Sequence, residues 1–192
     1  YFGDYIMAGT LSVQKIQGLA SSATPTTVEI SSGHKLTGAA GSIVAPGHVI
    51  QFVQHKWNNQ TATTSESYVD VTSSSFNFTP KLATSKLYIK TSCAIAVNRG
   101  AAAGYAVFKI VHDGTDVDAP SDRYEIGMNA VGASSMVLYL RAEKSGYVDA
   151  SNTNARAIKL QTAVNANSNS GQMRFNVNDY FYSYIDVMEI AQ

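Results

Sequence analysis

Tyr105-Ala106-Val107-Phe108-Lys109-Ile110-Val111-His112-Asp113-Gly114-Thr115 is the stretch whose reading decides the fold class. Tyr105, Val107, Lys109 and Val111 fall on one side of an extended chain, and Ala106, Phe108, Ile110 and His112 on the other, the period of two that a pleated strand imposes. Asp113-Gly114 then supplies two residues that tolerate positive φ, as a type I′ hairpin turn demands. A strand that ends in so tight a turn predicts an antiparallel neighbour.

Working outward, the same texture covers the chain from His48 onward. Apolar, β-branched and aromatic runs at 48–57, 67–72, 76–79, 86–97, 136–142, 157–164, 171–176 and 181–190 read as strands. Asn58-Asn59-Gln60 and the polar run 165–171 punctuate them. No segment carries a sustained helical repeat with caps; the best helical candidate, 123–131, is short and contains Gly127. About eight strands at this spacing predict an all-β fold, a jelly-roll-like antiparallel β-sandwich spanning 44–192.

Residues 1–43 differ in kind. From 8 to 47 the chain is rich in Gly, Ala, Ser and Thr, with apolar islands at Leu11-Val13-Ile16, Val28-Ile30, Leu36 and Ile43-Val44 that are too short to close a core. The expectation is an extended arm that gains order by packing on sister chains or on a scaffold. Tyr1 to Ile6 precede Met7-Ala8-Gly9-Thr10, which reads like a natural start.

Composition narrows the function classes. Charged residues are 15% of the chain, against ~25% in ordinary soluble domains, and the 14 basic residues balance the 14 acidic ones. No basic field draws nucleic acid or an anionic membrane, and few charges oppose self-association. No apolar run reaches the ~20 residues that a membrane helix needs, and the start lacks a signal-peptide layout, so a soluble product is expected. Cys93 is the only cysteine, which removes intrachain disulfides and Cys-based zinc sites.

The residues that could carry chemistry do not assemble into a motif. Asp113, Asp116 and Asp118 could donate oxygens to calcium, but their glycine is misplaced for an EF-hand and no glutamate closes the loop, so a solvated hairpin tip is preferred. His34, His48, His55 and His112 are scattered without His-x-His or HExxH spacing. Cys93 lies inside a strand, where a small buried hydrophobe is the ordinary role. There is no Gly-x-Ser-x-Gly elbow and no acid pair stands out, so no enzyme and no cofactor is expected.

Aromatics are the conspicuous feature, with Tyr180-Phe181-Tyr182-Ser183-Tyr184 at one end. On one strand Tyr180, Tyr182 and Tyr184 lie opposite Phe181 and Ile185. One row then fills the core and the other meets a sister subunit; alternatively, exposed tyrosines or Trp57 stack on carbohydrate. Trp57, Tyr180, Tyr182 and Tyr184 are therefore the candidate receptor or subunit contacts, with 57–65, 119–135 and 164–170 as the loops expected near them.

Several pieces together resemble a module of tail-fibre and other virion proteins of marine and freshwater tailed phages, including cyanophage-like ones. They are Gly33-His34-Lys35-Leu36-Thr37-Gly38 leading to Ala45-Pro46-Gly47-His48-Val49-Ile50-Gln51-Phe52-Val53-Gln54, then Ser67-Tyr68-Val69-Asp70-Val71, Phe76-Asn77-Phe78-Thr79-Pro80, Tyr147-Val148-Asp149 and Val187-Met188-Glu189-Ile190-Ala191. Gly9-Thr10-Leu11-Ser12-Val13 and Ile16-Gln17-Gly18 are similar to the leaders that precede such modules. The resemblance implies a β-sandwich head on an intertwined arm, a homotrimer that contacts other virion proteins and, at a tail-fibre tip, a host surface glycan or protein, without catalysis. A long fibre also carries a virion-attachment domain, which these residues do not include, so a capsid decoration or head-fibre protein on the capsid surface is the alternative.

Overall fold

The computed structural model describes residues 44–99, 104–117, 126–128, 136–165, 172–177 and 181–192, together with Ser32. The chain divides into two units, Tyr1–Ile43 and Val44–Gln192. Of the first only Ser32, an exposed turn residue, is described. The expected arm therefore lies outside the described residues.

The second unit is built from strands alone among the described residues: β1 (Val49–Trp57), β2 (Thr61–Thr63), β3 (Val69–Asp70), β4 (Phe76–Phe78), β5 (Lys86–Arg99), β6 (Gly104–His112), β7 (Thr115–Asp116), β8 (Ile126–Met128), β9 (Met136–Asp149), β10 (Arg156–Asn165), β11 (Gln172–Phe175) and β12 (Ser183–Ile190). All pairings are antiparallel. In the first sheet β1, β12, β5 and β9 lie side by side, and β11 with β2 continues from the far half of β5. In the second, β3 and β4 flank one edge of β10, β6 lies on its other edge, and β7 and β8 flank β6. The chain crosses between the sheets so that sequential neighbours rarely pair, which is the jelly-roll arrangement of a two-sheet sandwich.

The hairpin forms as the sequence predicts. Asp113 and Gly114 have φ of 50° and 81°, and His112 pairs directly with Thr115 across them. Elsewhere the structure departs from expectation. The segment 123–131 is not helical where it is described: Ile126–Met128 pairs with β6, and Gly127 faces Tyr105 across the ladder, because a sheet edge with unpaired backbone groups outcompetes a short uncapped helix. Thr61–Thr63, inside an expected loop, is strand β2 on the edge of β11. The strand expected at 136–142 runs on to Asp149, paired with β5 along its whole length.

Alternate residues of both sheets turn inward. Leu87, Ile89, Ile95, Met173, Phe175, Ile185 and Val187 of the first meet Phe108, Ile110, Ile158 and Leu160 of the second, all buried. Phe108 and Phe175 meet edge to face, centroids 6.0 Å apart at 89°, and tie the layers together. Burial of this kind drives the fold, and it leaves the opposite side of the first sheet facing solvent.

Candidate functional site

The outer face of the first sheet collects the residues that the core does not use. Register across β1, β12, β5 and β9 sets Phe52 opposite Met188, Met188 opposite Tyr88, and Tyr88 opposite Tyr147, a single apolar row across four strands. Phe52 and Tyr147 are 55% and 62% exposed. The Tyr88 and Tyr147 rings sit 4.9 Å apart. Val49 and Ile190, paired in the neighbouring row, widen the patch.

Charges beside this row are answered within the face. Lys86 lies 3.8 Å from Asp149, Gln54 Nε2 donates to Asp186 at 2.8 Å, and Lys90 meets Glu143 at 3.0 Å. The Lys90–Glu143 bond holds the Glu143 carboxyl below its ordinary range and raises Lys90. The face therefore presents hydrophobic surface and little free charge.

One end of the face is different. Lys56 Nζ lies 3.6 Å from the Tyr182 ring centroid and 5.9 Å from that of Tyr184, close enough for cation–π attraction. Arg141 lies 5.8 Å from the Tyr184 ring and donates to Ser92 Oγ at 2.8 Å, to the Ser92 carbonyl at 3.4 Å and to the Tyr182 carbonyl at 3.0 Å. Next to Arg141, where β5 leaves β12 and takes up β11, is a hollow of about 220 Å³ lined by Ala94, Ile95, Tyr139, Leu140, Arg141, Val177 and Phe181.

A buried polar knot fixes that junction. Asn176 has φ of 51°, a left-handed conformation that Asn tolerates better than most residues, and its backbone N–H donates to the Ala94 carbonyl at 2.9 Å. Its side-chain amide donates to the Trp57 and Asn59 carbonyls at 3.3 and 3.4 Å, while Ser183 Oγ donates to its oxygen at 2.6 Å. The Ala94 N–H donates to the same Ser183 hydroxyl at 3.1 Å. Both ends of the Asn176 amide are satisfied, as burial requires.

The candidate contacts divide accordingly. Tyr182 and Tyr184 stand on the outer face beside Lys56. Trp57 does not offer a stacking surface: it is 4% exposed, because Val53, His55 and Trp57 form the inward row of β1. Tyr180 lies outside the described residues. Phe181 does not share the inward row with Ile185; β12 begins at Ser183, and Phe181, before it, is 49% exposed. Of the expected contact loops, 119–135 and 164–170 lie largely outside the described residues.

Phe52, Met188 and Tyr147 were named only within the motifs of the resemblance, and none of them, nor Tyr88 or Arg141, was expected as a contact. The exposed parity of Phe52, Gln54 and Lys56 on β1 is the one local signal, and the rest depend on cross-strand register.

No metal centre forms among the described residues. Asp116 pairs with Lys109 at 2.8 Å, Asp113 is exposed, and Asp118 lies outside the described residues. His55 stacks on Phe76 and bonds the Ser73 carbonyl at 2.8 Å, His48 is exposed, and His112 is buried with its pKa lowered by desolvation and by Arg156. His34 lies outside the described residues. Cys93 is buried beside Thr91, and desolvation pushes its thiol up to about 12.

No family model and no curated protein matches the chain. Among solved structures it is similar to the structure of infectious bursal disease virus Gx strain, at 13% identity and a TM-score of 0.35, over 87% of this chain and 46% of that one. The chain thus spans under half the length of that neighbour.

Proposed function

We propose that the chain is a non-catalytic structural subunit of a tailed-phage particle, a homotrimeric tail-fibre or receptor-binding head that meets a host surface glycan or protein. The observation that carries the structural part of this reading is the row Phe52–Met188–Tyr88–Tyr147, apolar across four strands and bordered by charges that neutralise one another within the face. A lone soluble domain gains nothing from such a surface, whereas a subunit buries it against its neighbours. The virion motifs in the sequence and the near-absence of free charge point the same way. The hollow at Arg141 and its flanking rings support the recognition part.

A second reading, capsid decoration, draws on a different feature. Among the described residues β9 pairs only with β5 and β1 only with β12, and the outer edge of either strand suits pairing with an added strand from a neighbouring virion protein.

Imaging the assembled particle separates the two. Density for this head at the far end of tail appendages supports receptor binding. Density on the capsid lattice makes it a decoration protein, and absence from purified particles removes both.

A further inference from the structure

We propose that the hollow beside Arg141 binds a single acidic sugar ring, a hexuronic or nonulosonic acid at the end of a glycan, with its carboxylate on Arg141 and a ring face against Tyr139. The proposal deepens the receptor-binding reading and rests on it for its biological setting.

Size comes first. At about 220 Å³ the hollow is smaller than the ~300 Å³ at which pockets for drug-sized ligands begin, so it suits one ring and not an extended chain. Its walls combine Leu140, Val177 and Ala94 with two exposed aromatics, Tyr139 at 62% and Phe181 at 49%. Aromatic faces carry negative charge density and attract the C–H edges of a pyranose, whose hydroxyls remain free to meet water.

Charge selects among sugars. Among the described residues neither Lys56 nor Arg141 has a carboxylate within salt-bridge distance, while Lys90, Lys86 and Lys159 each do. Glu143, two positions along β9, also feels Arg141, but its carboxylate is held first by Lys90 at 3.0 Å, so the balance at this end of the face is cationic. A guanidinium has five N–H donors, and the three acceptors that hold Arg141, Ser92 Oγ, Ser92 O and Tyr182 O, leave it donors for a ligand. Those same bonds fix its plane in advance, so a carboxylate can be taken bidentately with little ordering cost. The Asn176–Ser183 knot holds the adjoining strand ends in place.

The test is calorimetric titration of the whole chain with methyl glucuronoside and methyl N-acetylneuraminate, against methyl glucoside and acetate as controls. At least one acidic sugar is expected to saturate a single site at least tenfold more tightly than both controls. Arg141→Gln is expected to abolish the preference for acid over neutral sugar, and Tyr139→Ala to weaken both about tenfold, with melting curves confirming that each variant is folded. No saturable binding by either acidic sugar, or equal binding of methyl glucoside or acetate, overturns the site; this comparison uses the native protein and needs no variant. Failure here with the head imaged at appendage tips removes the hollow and leaves the receptor role. Acid-selective binding by a head imaged on the capsid lattice removes the receptor role and leaves the site.

Discussion

The backbone N–H of Lys81 is shared between the two carboxylate oxygens of Glu189, at 2.9 Å from each. Leu82 N–H at 2.8 Å, Ser85 Oγ at 2.7 Å and Gln51 Nε2 at 2.6 Å complete the ring of donors, and together they clamp the turn before β5 onto β12. Burial alone raises this carboxyl's pKa, but the Lys81 and Leu82 amides, the Ser85 hydroxyl and the Gln51 amide outweigh it and hold it below the ordinary 4.5.

Because the folded pKa lies below the unfolded one, the unfolded chain takes up the proton first. The stabilisation is therefore complete above the unfolded value and is lost as pH falls through the folded one. Glu189→Gln is expected to cost about 2 to 3 kcal/mol at pH 7. Urea melts of both proteins at pH 7 and pH 3 check this, and the gap must narrow in acid; a constant gap rejects the clamp as the source of acid lability.

At Asn176 the backbone and the side chain can be tested apart. Asn176→Gly keeps the φ of 51° cheap but loses the amide bonds, whereas Asn176→Ala loses both. Both variants are expected to be less stable than the native chain, and the alanine variant less stable than the glycine one by about 1 kcal/mol. The reverse order by chemical denaturation contradicts the assignment of left-handed strain.

Gly146 lets residue 117 approach β9. A Cβ there would stand 2.7 Å from Val117 Cγ1 and 3.0 Å from the Val117 carbonyl oxygen. Gly146→Ala is expected to cost about 1 to 3 kcal/mol by overpacking. Adding Val117→Ala clears only the methyl, so the double variant should lose less than the two single losses combined. Strict additivity shows that the backbone contact alone resists the Cβ.

These elements mark where the sequence was legible. β6 and its Asp113-Gly114 turn could be read because a short apolar, β-branched and aromatic run is closed by turn residues that are diagnostic. The second half of β9 was opaque: Lys144 and Gly146 occupy inward positions there, so the alternation that identifies a half-buried strand is blurred at the sheet edge. Trp57 was misplaced because its burial follows from the parity it shares with Val53 and His55. Tyr182 and Tyr184 lie on the outer face, and their neighbours Lys56 and Arg141 come from strands distant in the chain. Register across a sheet is a tertiary property, and one sequence does not display it.

The apolar row predicts self-association. Phe52→Ser with Tyr147→Ser should shift the protein toward monomer in sedimentation velocity while leaving the β-sheet circular dichroism of the folded head in place, since both side chains are largely exposed in the single chain. An unchanged oligomer excludes this face as the subunit contact.

Cys93 offers an internal reporter. With the thiol buried and raised to about 12, it should stay unlabelled by a thiol reagent at pH 8 in the native protein and react fully in denaturant. Rapid native labelling indicates opening of β5 from the core.

Gln51 and Glu189, bonded side chain to side chain, are 138 positions apart, and β12 is the strand between β1 and β5. During synthesis, β1 leaves the ribosome long before its partner exists. Until β12 emerges, the nascent chain carries the inward row of Val53, His55 and Trp57 without a ladder to hold it. Closure of this head is thus delayed until β12 has emerged, and the wait is when the chain most needs protection from its neighbours on the polysome.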